Sequence, residues 1–198
     1  MLLEKGLLLA TGNRGKYEEF RRLLPRSVAQ KLCFTPELAP MEVEETGTTY
    51  AMNAWLKARA WVSASGIPSL ADDSGLEVRG LNFAPGIFSA RAADGSDEAR
   101  NRWLLGRMEG RTDRRAAFVA ALALSFPDGR TLVCEGECRG TLTDRPLGSG
   151  GFGYDPLFVP EGQELTFAQM APEAKDGLSH RAVALKVLLE LLPDGVFA

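Results

Sequence analysis

The first apolar signal is Leu7-Leu8-Leu9-Ala10, a short run that breaks at Thr11-Gly12-Asn13. Tyr17, Phe20 and Leu23/Leu24 then recur at helical spacing until Pro25, so this stretch predicts strand, glycine turn, helix. From Thr48 to about Ala64, Tyr50, Ala54, Ala58 and Trp61 fall on one stripe, with Asn53 and Lys57 one turn apart on a neighbouring face, which predicts a second helix. Ile67 to Ala71 reads as a buried strand that ends in Asp72-Asp73, with Gly75 permitting a sharp exit. Ser96-Asp97-Glu98 supplies the cap and acidic first turn of a helix running to about Met108. Ala116 to Phe126 is almost continuously apolar, and Pro127-Asp128-Gly129 turns it into Thr131 to Cys138, a hairpin of two strands. From Gly140 to Gly162 the chain is rich in glycine and proline. Helical patterning returns at Phe167 to Met170 and at Ser179 to Leu192, where Pro193 and Gly195 are expected to stop the last helix.

Parallel-type units beside a hairpin predict an α/β fold around a central twisted mixed β-sheet with flanking helices, elongated into two lobes with a cleft. No internal repeat, low-complexity linker or composition boundary divides residues 1–198, which are expected to form a single domain. A hydrophobic fraction of 45% over 198 residues is enough for a real core. The net charge of -3 argues against a general nucleic-acid or membrane-surface binder but leaves room for a local cationic pocket. No run reaches the roughly 18 to 20 apolar residues a bilayer span needs, and Glu4 spoils the first apolar stretch as a signal peptide, so a cytoplasmic protein is expected. Cys33, Cys134 and Cys138 are odd in number and lack CxxC spacing, which suggests neither a disulfide framework nor a zinc site. Cys134 and Cys138 would face the same side of a strand as buried thiols.

The candidate chemistry sits in five polar, glycine-punctuated segments. Thr11-Gly12-Asn13-Arg14-Gly15-Lys16 offers backbone N–H groups at a helix N-terminus plus an ammonium, a combination suited to phosphate oxygens, although a plain connector can look the same. It is not a Walker A loop, since Ala10 stands where the first glycine belongs and Tyr17 where Ser or Thr belongs. Adjacent carboxylates at Asp72-Asp73 are costly unless solvent, a cation or basic side chains offset them. A magnesium ion shared with substrate phosphates fits that need, and so do two solvated turn residues. Glu44-Glu45 is a weaker acidic pair, and Lys57 alone would pass for a surface lysine. In Gly150-Gly151-Phe152-Gly153-Tyr154-Asp155-Pro156, three glycines let backbone approach a ligand while an aromatic face is held for stacking. His180, the one histidine, starts a helix beside Arg181 as a cap, a core partner or, with Lys175, part of a cationic edge.

Taken in order, TGNRGK (11–16), EETG (44–47), ADDSGLEV (71–78), APGIFSAR (84–91), GGFGYDP (150–156) and LSHR (178–181) resemble the inosine/xanthosine triphosphate pyrophosphatase family, over about residues 7–192. The resemblance implies a magnesium-dependent hydrolase that cuts ITP, dITP and XTP between the α- and β-phosphates, releasing the nucleoside monophosphate and pyrophosphate. It also implies a homodimer whose active site lies in the cleft between two lobes of an elongated α/β fold. Carried over, Thr11, Gly12, Asn13, Arg14, Gly15 and Lys16 would hold the triphosphate, and Lys57 would help neutralise it. Asp73 would be proton acceptor and metal ligand, Asp72 its partner and Glu45 a further metal ligand. Ser74 would lie beside them at the substrate. Phe152 would stack on the purine, Gly153, Tyr154 and Asp155 would shape its pocket, and Lys175, His180 and Arg181 would reach the base.

Hydrolysis at the α-phosphorus needs an activated water and neutralised charge, which a metal, a carboxylate base and lysines supply together. Base choice follows from O6, an acceptor in hypoxanthine and xanthine where adenine carries a donor. Backbone N–H groups or Arg181 facing O6 would leave donor against donor with adenine, costing on the order of 1–3 kcal/mol per unpaired buried group. Guanine keeps O6 and must be excluded at its 2-amino group. The chain departs from the family's pattern at Met52, Arg79 and Ala92-Ala93, positions expected to tune the cleft rim or the dimer contact rather than the chemistry. The competing reading is a nucleotide-sensing or RNA-binding module that does no hydrolysis, which the intact Asp72-Asp73, Glu45 and Lys16 speak against.

Overall fold

The structure, a computed structural model, describes residues 6–38 and 41–192. Glu4, Pro193 and Gly195 lie outside the described residues. Strands β1 (Leu7–Leu9), β2 (Leu32–Phe34), β3 (Ser69–Val78), β4 (Arg115–Ser125), β5 (Thr131–Leu142) and β6 (Phe158–Pro160) form one sheet in the order β2-β1-β3-β4-β5-β6. β1 runs parallel to β2, with Leu8 opposite Cys33, and parallel to β3, with Leu9 opposite Leu70. β5 and β6 are antiparallel, with Thr141 opposite Val159. The mixed α/β sheet expected from the sequence is therefore present. No described helix is long and apolar enough to cross a membrane.

The helices are α1 (Arg14–Leu23), α2 (Arg26–Ala29), α3 (Tyr50–Ser65), α4 (Asp97–Arg107), α5 (Pro172–Asp176) and α6 (His180–Leu191). Three start on side-chain caps: Asn13 accepts from the Lys16 N–H, Thr49 from Met52 and Ser96 from Ala99. Each cap satisfies an amide that the helix itself leaves unpaired. α3 ends at Gly66, where φ is 66°, a left-handed cap that glycine adopts without strain.

Two compact units can be distinguished. The first comprises the chain up to Asp73, Ala120–Gly136 and the chain from Arg181; the second comprises Ser74–Val119 and Glu137–His180. The boundaries fall inside β3, β4, β5 and α6, so neither unit is a contiguous stretch of sequence. The first unit packs Leu7, Leu9, Phe20, Leu70, Leu122, Leu124, Leu185 and Leu188 into one core. In the second, Phe118 lies 4.7 Å from Phe158, and Leu76, Val78, Leu104, Met108 and Leu157 surround them.

Two expectations needed correction, and two strands were not foreseen. β3 does not end at the aspartates but continues through Gly75 to Val78, because Leu76 and Val78 carry buried apolar positions onward at a spacing of two. Phe167–Met170 is a turn rather than a helix: both Gln169 and Met170 donate to the Thr166 carbonyl, and the helix there is α5. β2 and β6, three residues each, are too short to show alternation and went unpredicted.

Candidate active site

In the first unit, β1 delivers the chain to Thr11, whose Oγ1 accepts from the Asn13 N–H at 3.1 Å, and Asn13 then caps α1. Gly12, Asn13 and Arg14 are exposed at this turn. Arg14 points outward to pair with Glu18 at 2.8 Å. Lys16, one helical turn in, points the other way and places Nζ 2.6 Å from Asp72 Oδ2.

The Asp72 carboxylate is fully buried and shared. Besides Lys16 it accepts from Arg181, whose Nε is 3.4 Å away, and Arg181 Nη1 lies 2.8 Å from Glu19 Oε2. Glu19 and Arg181 are 1% and 3% exposed, so the guanidinium is committed to two carboxylates inside the protein. The structure places the Arg181 fork against Asp72 and Glu19 in the first unit. Burial alone would push Asp72 up, but Arg181 and Lys16 together hold it well below the usual carboxylate range. It is a permanent anion that anchors cations.

Asp73 has a different environment. Its Oδ2 accepts from Asn53 Nδ2 at 3.2 Å and its Oδ1 lies 3.2 Å from Lys57 Nζ. Lys57 also donates to Glu45 Oε1 at 2.7 Å and to the Asp72 carbonyl at 3.0 Å. Asn53 and Lys57, four residues apart on α3, thus face the same strand end. Asn53 Oδ1 accepts from the Gly47 N–H at 2.8 Å, which ties the acidic loop to the helix. Glu45 faces inward, whereas Glu44 is exposed. Burial raises the Asp73 carboxyl above its ordinary value, with Lys57 pulling the other way. Lys57 is raised despite burial because Asp73 and Glu45 flank it, while burial draws Lys16 down against the pull of Asp72. Two neighbouring aspartates are therefore driven apart, one fixed as an anion and one drawn toward the proton, the pattern by which acid and base roles separate. Ser74 follows Asp73 in β3.

Among the described residues, no group of three or more His, Cys, Asp or Glu side chains could hold a metal ion. Asp73 and Glu45 nevertheless converge on a single cation, the Lys57 ammonium. Two carboxylates completed by substrate phosphates is the all-oxygen set that magnesium accepts, so the donors fit.

In the second unit the glycine-rich loop folds onto its own aspartate. Asp155 Oδ2 accepts from the Phe152 N–H at 2.9 Å and from Lys175 Nζ at 2.6 Å. At Gly151, φ is 69°, which strains any side chain, and a Cβ would sit 2.0 Å from the same Oδ2 and force Asp155 to shift. Lys175 Nζ lies 4.9 Å from the centre of the Phe152 ring, within cation–π range. The Tyr154 hydroxyl donates to the Ser89 carbonyl at 2.9 Å, and burial pushes it up to about 12, so it stays protonated as a donor. His180 is buried and stacked on Phe118 at 4.8 Å with an interplanar angle of 11°. Glu19, Asn53, Asp97 and Asn101 were not among the candidate residues. Asn53 could have been found from sharing a helix face with Lys57, and Glu19 from lying three residues after Lys16.

The Ham1 family's model matches residues 7–191. The chain belongs to the Ham1 family. Similar curated relatives include the dITP/XTP pyrophosphatase of Symbiobacterium thermophilum, 48% identical over 96% of this chain and 96% of that protein. That of Deinococcus radiodurans is 46% identical over 92% and 90%. Among solved structures, the Ham1 protein of Staphylococcus aureus superposes with a TM-score of 0.81 at 41% identity, covering 94% of this chain and 97% of that one. The HAM1 protein of Coxiella burnetii gives 0.83 at 37% identity with the same coverage. The fold of this Ham1 chain is thus that of solved family members.

Proposed function

We propose that this Ham1 chain hydrolyses deaminated purine nucleoside triphosphates, dITP, ITP and XTP, to the monophosphate and pyrophosphate, clearing them from the nucleotide pool. The observation that carries the reading is the pair Asp72-Asp73, one carboxylate locked by Lys16 and Arg181 and its neighbour held beside Lys57 and Asn53 and raised by burial. In this reading Asp73 takes the proton of the attacking water. Lys16 and Lys57 meet the charge that grows on the phosphates. Asp72 holds Lys16 in place, and Arg181 acts through Asp72 rather than at the base. Asp73 and Glu45 would hold magnesium, which supplies charge neutralisation for the triphosphate.

The turn from Thr11 to Lys16 would take phosphate oxygens on its exposed backbone. Phe152 would stack on the purine, with Gly153, Tyr154, Asp155 and Lys175 forming its pocket. With Arg181 occupied, recognition of O6 falls to backbone N–H groups of that pocket. We further propose that the protein works as a cytoplasmic homodimer, in keeping with the resemblance drawn from its motifs. Pyrophosphate release from dITP, ITP, XTP, GTP, ATP and dTTP, with magnesium and with EDTA, tests the reading. Magnesium-dependent turnover of the first three, with GTP and ATP slower by about a hundredfold, supports it. Binding without release would favour a sensing module.

A further inference from the structure

The Phe152 loop is gripped from outside as well as by its own Asp155. The N–H of Gly153 donates to Asp97 Oδ2 at 2.6 Å, and the carbonyl of Gly153 accepts from Asn101 Nδ2 at 3.0 Å. Both polar groups of one residue are held by two side chains four positions apart on α4. Asp97 is itself steadied by Arg100, which bonds its other oxygen and also donates to the Gly95 carbonyl at 3.2 Å. Asn101 is 5% exposed and carries a buried Oδ1 without a hydrogen-bond partner among the described residues. An amide kept there despite an unmet acceptor is retained for what its donor does, since an unmet buried group costs about 1–3 kcal/mol.

The peptide before Phe152 is free to rotate in a glycine-rich loop unless something fixes it, and Asp155 does so at the Phe152 N–H. Gly153, at φ 63°, would loosen the other side in the same way. We propose that Asp97 and Asn101 are positioning residues for base recognition: by clamping Gly153 they set the angle at which the Phe152 ring meets the purine. The proposal rests on the reading that Phe152 stacks on the base. It touches neither the phosphate-binding turn nor the carboxylates, so it separates binding of the base from the chemical step.

The test uses Asn101→Asp, nearly the same shape but unable to donate, and Asp97→Ala, whose side chain is exposed enough for the fold to tolerate the change. Phe152→Ala and the Phe152→Ala/Asn101→Asp double variant complete the set. The inhibition constants of inosine monophosphate and of inorganic triphosphate are measured beside KM and kcat for dITP. Asn101→Asp should raise KM and the constant for inosine monophosphate about tenfold, leave that for triphosphate unchanged and lower kcat less than threefold. Asp97→Ala should move the same quantities in the same direction, and Asn101→Asp should add less than twofold in the Phe152→Ala background. If Phe152→Ala weakens inosine monophosphate and neither α4 variant does, the clamp is overturned. Equal weakening of both inhibitors would also overturn it, as general damage. If Phe152→Ala itself leaves inosine monophosphate unaffected, the stacking reading fails and the clamp falls with it.

Discussion

The polar cluster of the first unit and that of the second are built on opposite plans. Around Asp72 and Asp73, five further charged side chains, Lys16, Lys57, Arg181, Glu19 and Glu45, meet in direct ion pairs with little backbone involved. Around Phe152, Asp155 pairs with Lys175 and Asp97 with Arg100, and Asp155, Asp97 and Asn101 fix main-chain groups of the loop. Dense charge with divided proton affinity suits phosphoryl transfer, where positioning and electrostatics carry the catalysis. A stiffened backbone presenting an aromatic face suits discrimination of a flat, uncharged base. If that contrast is functional, changes in the first cluster should strike kcat or stability, and changes in the second should strike KM.

The sharpest way to break the contrast is Asp73→Asn. It keeps the Asn53 and Lys57 neighbours but cannot accept a proton, so kcat should fall about a thousandfold or more while the thermal midpoint stays within a few degrees. Turnover near the parent value would remove Asp73 from the mechanism. Next comes Glu19→Ala. Removing one partner of a buried pair takes the 2.8 Å carboxylate contact from Arg181, at a cost of about 3–5 kcal/mol, read as a lower urea midpoint. An unchanged midpoint would mean that the network is slack. In the second cluster Phe152→Ala should raise KM for dITP by about tenfold, since stacking on one base is worth about 1–3 kcal/mol, with kcat within threefold. A large loss of kcat there would erase the division of labour.

Legibility in the sequence followed the same division. Short-range signals read correctly: the cap at Ser96, the Tyr50/Ala54/Ala58/Trp61 stripe and the turn at Pro127-Asp128-Gly129 each depend on residues near one another in the chain. Lys16 and Asp72-Asp73 could be nominated because each sits in a contiguous motif, whereas Lys57 took its role from the family resemblance. What could not be read was pairing over distance. Glu19 meets Arg181 across 162 positions and Asn101 meets Gly153 across 52, and no local pattern encodes either. The buried partners of Arg181 were hidden for the same reason, since Asp72 and Glu19 lie far from it in the chain. β3 was cut short because two aspartates look like a strand end, and only the cations gathered around them explain how charge persists mid-strand.

The smallest expected effect compares the units through their thiols. Cys134 in the first unit and Cys138 in the second lie four residues apart on β5, both buried, and burial pushes each up to about 11 from an ordinary 9.0. A shift of that size leaves about a hundredfold less thiolate at pH 8, so both should alkylate far more slowly than the half-buried Cys33. A thiol whose folded pKa is raised favours the folded state while protonated. That contribution is complete below about pH 9 and lost as pH rises toward 11. Iodoacetamide labelling followed by mass spectrometry should therefore find Cys33 modified first at pH 8, with Cys134 and Cys138 gaining about tenfold per pH unit above it. Rapid labelling of Cys138 alone at pH 8 would show that the second unit opens where the first does not, and would move the contrast from chemistry to local stability.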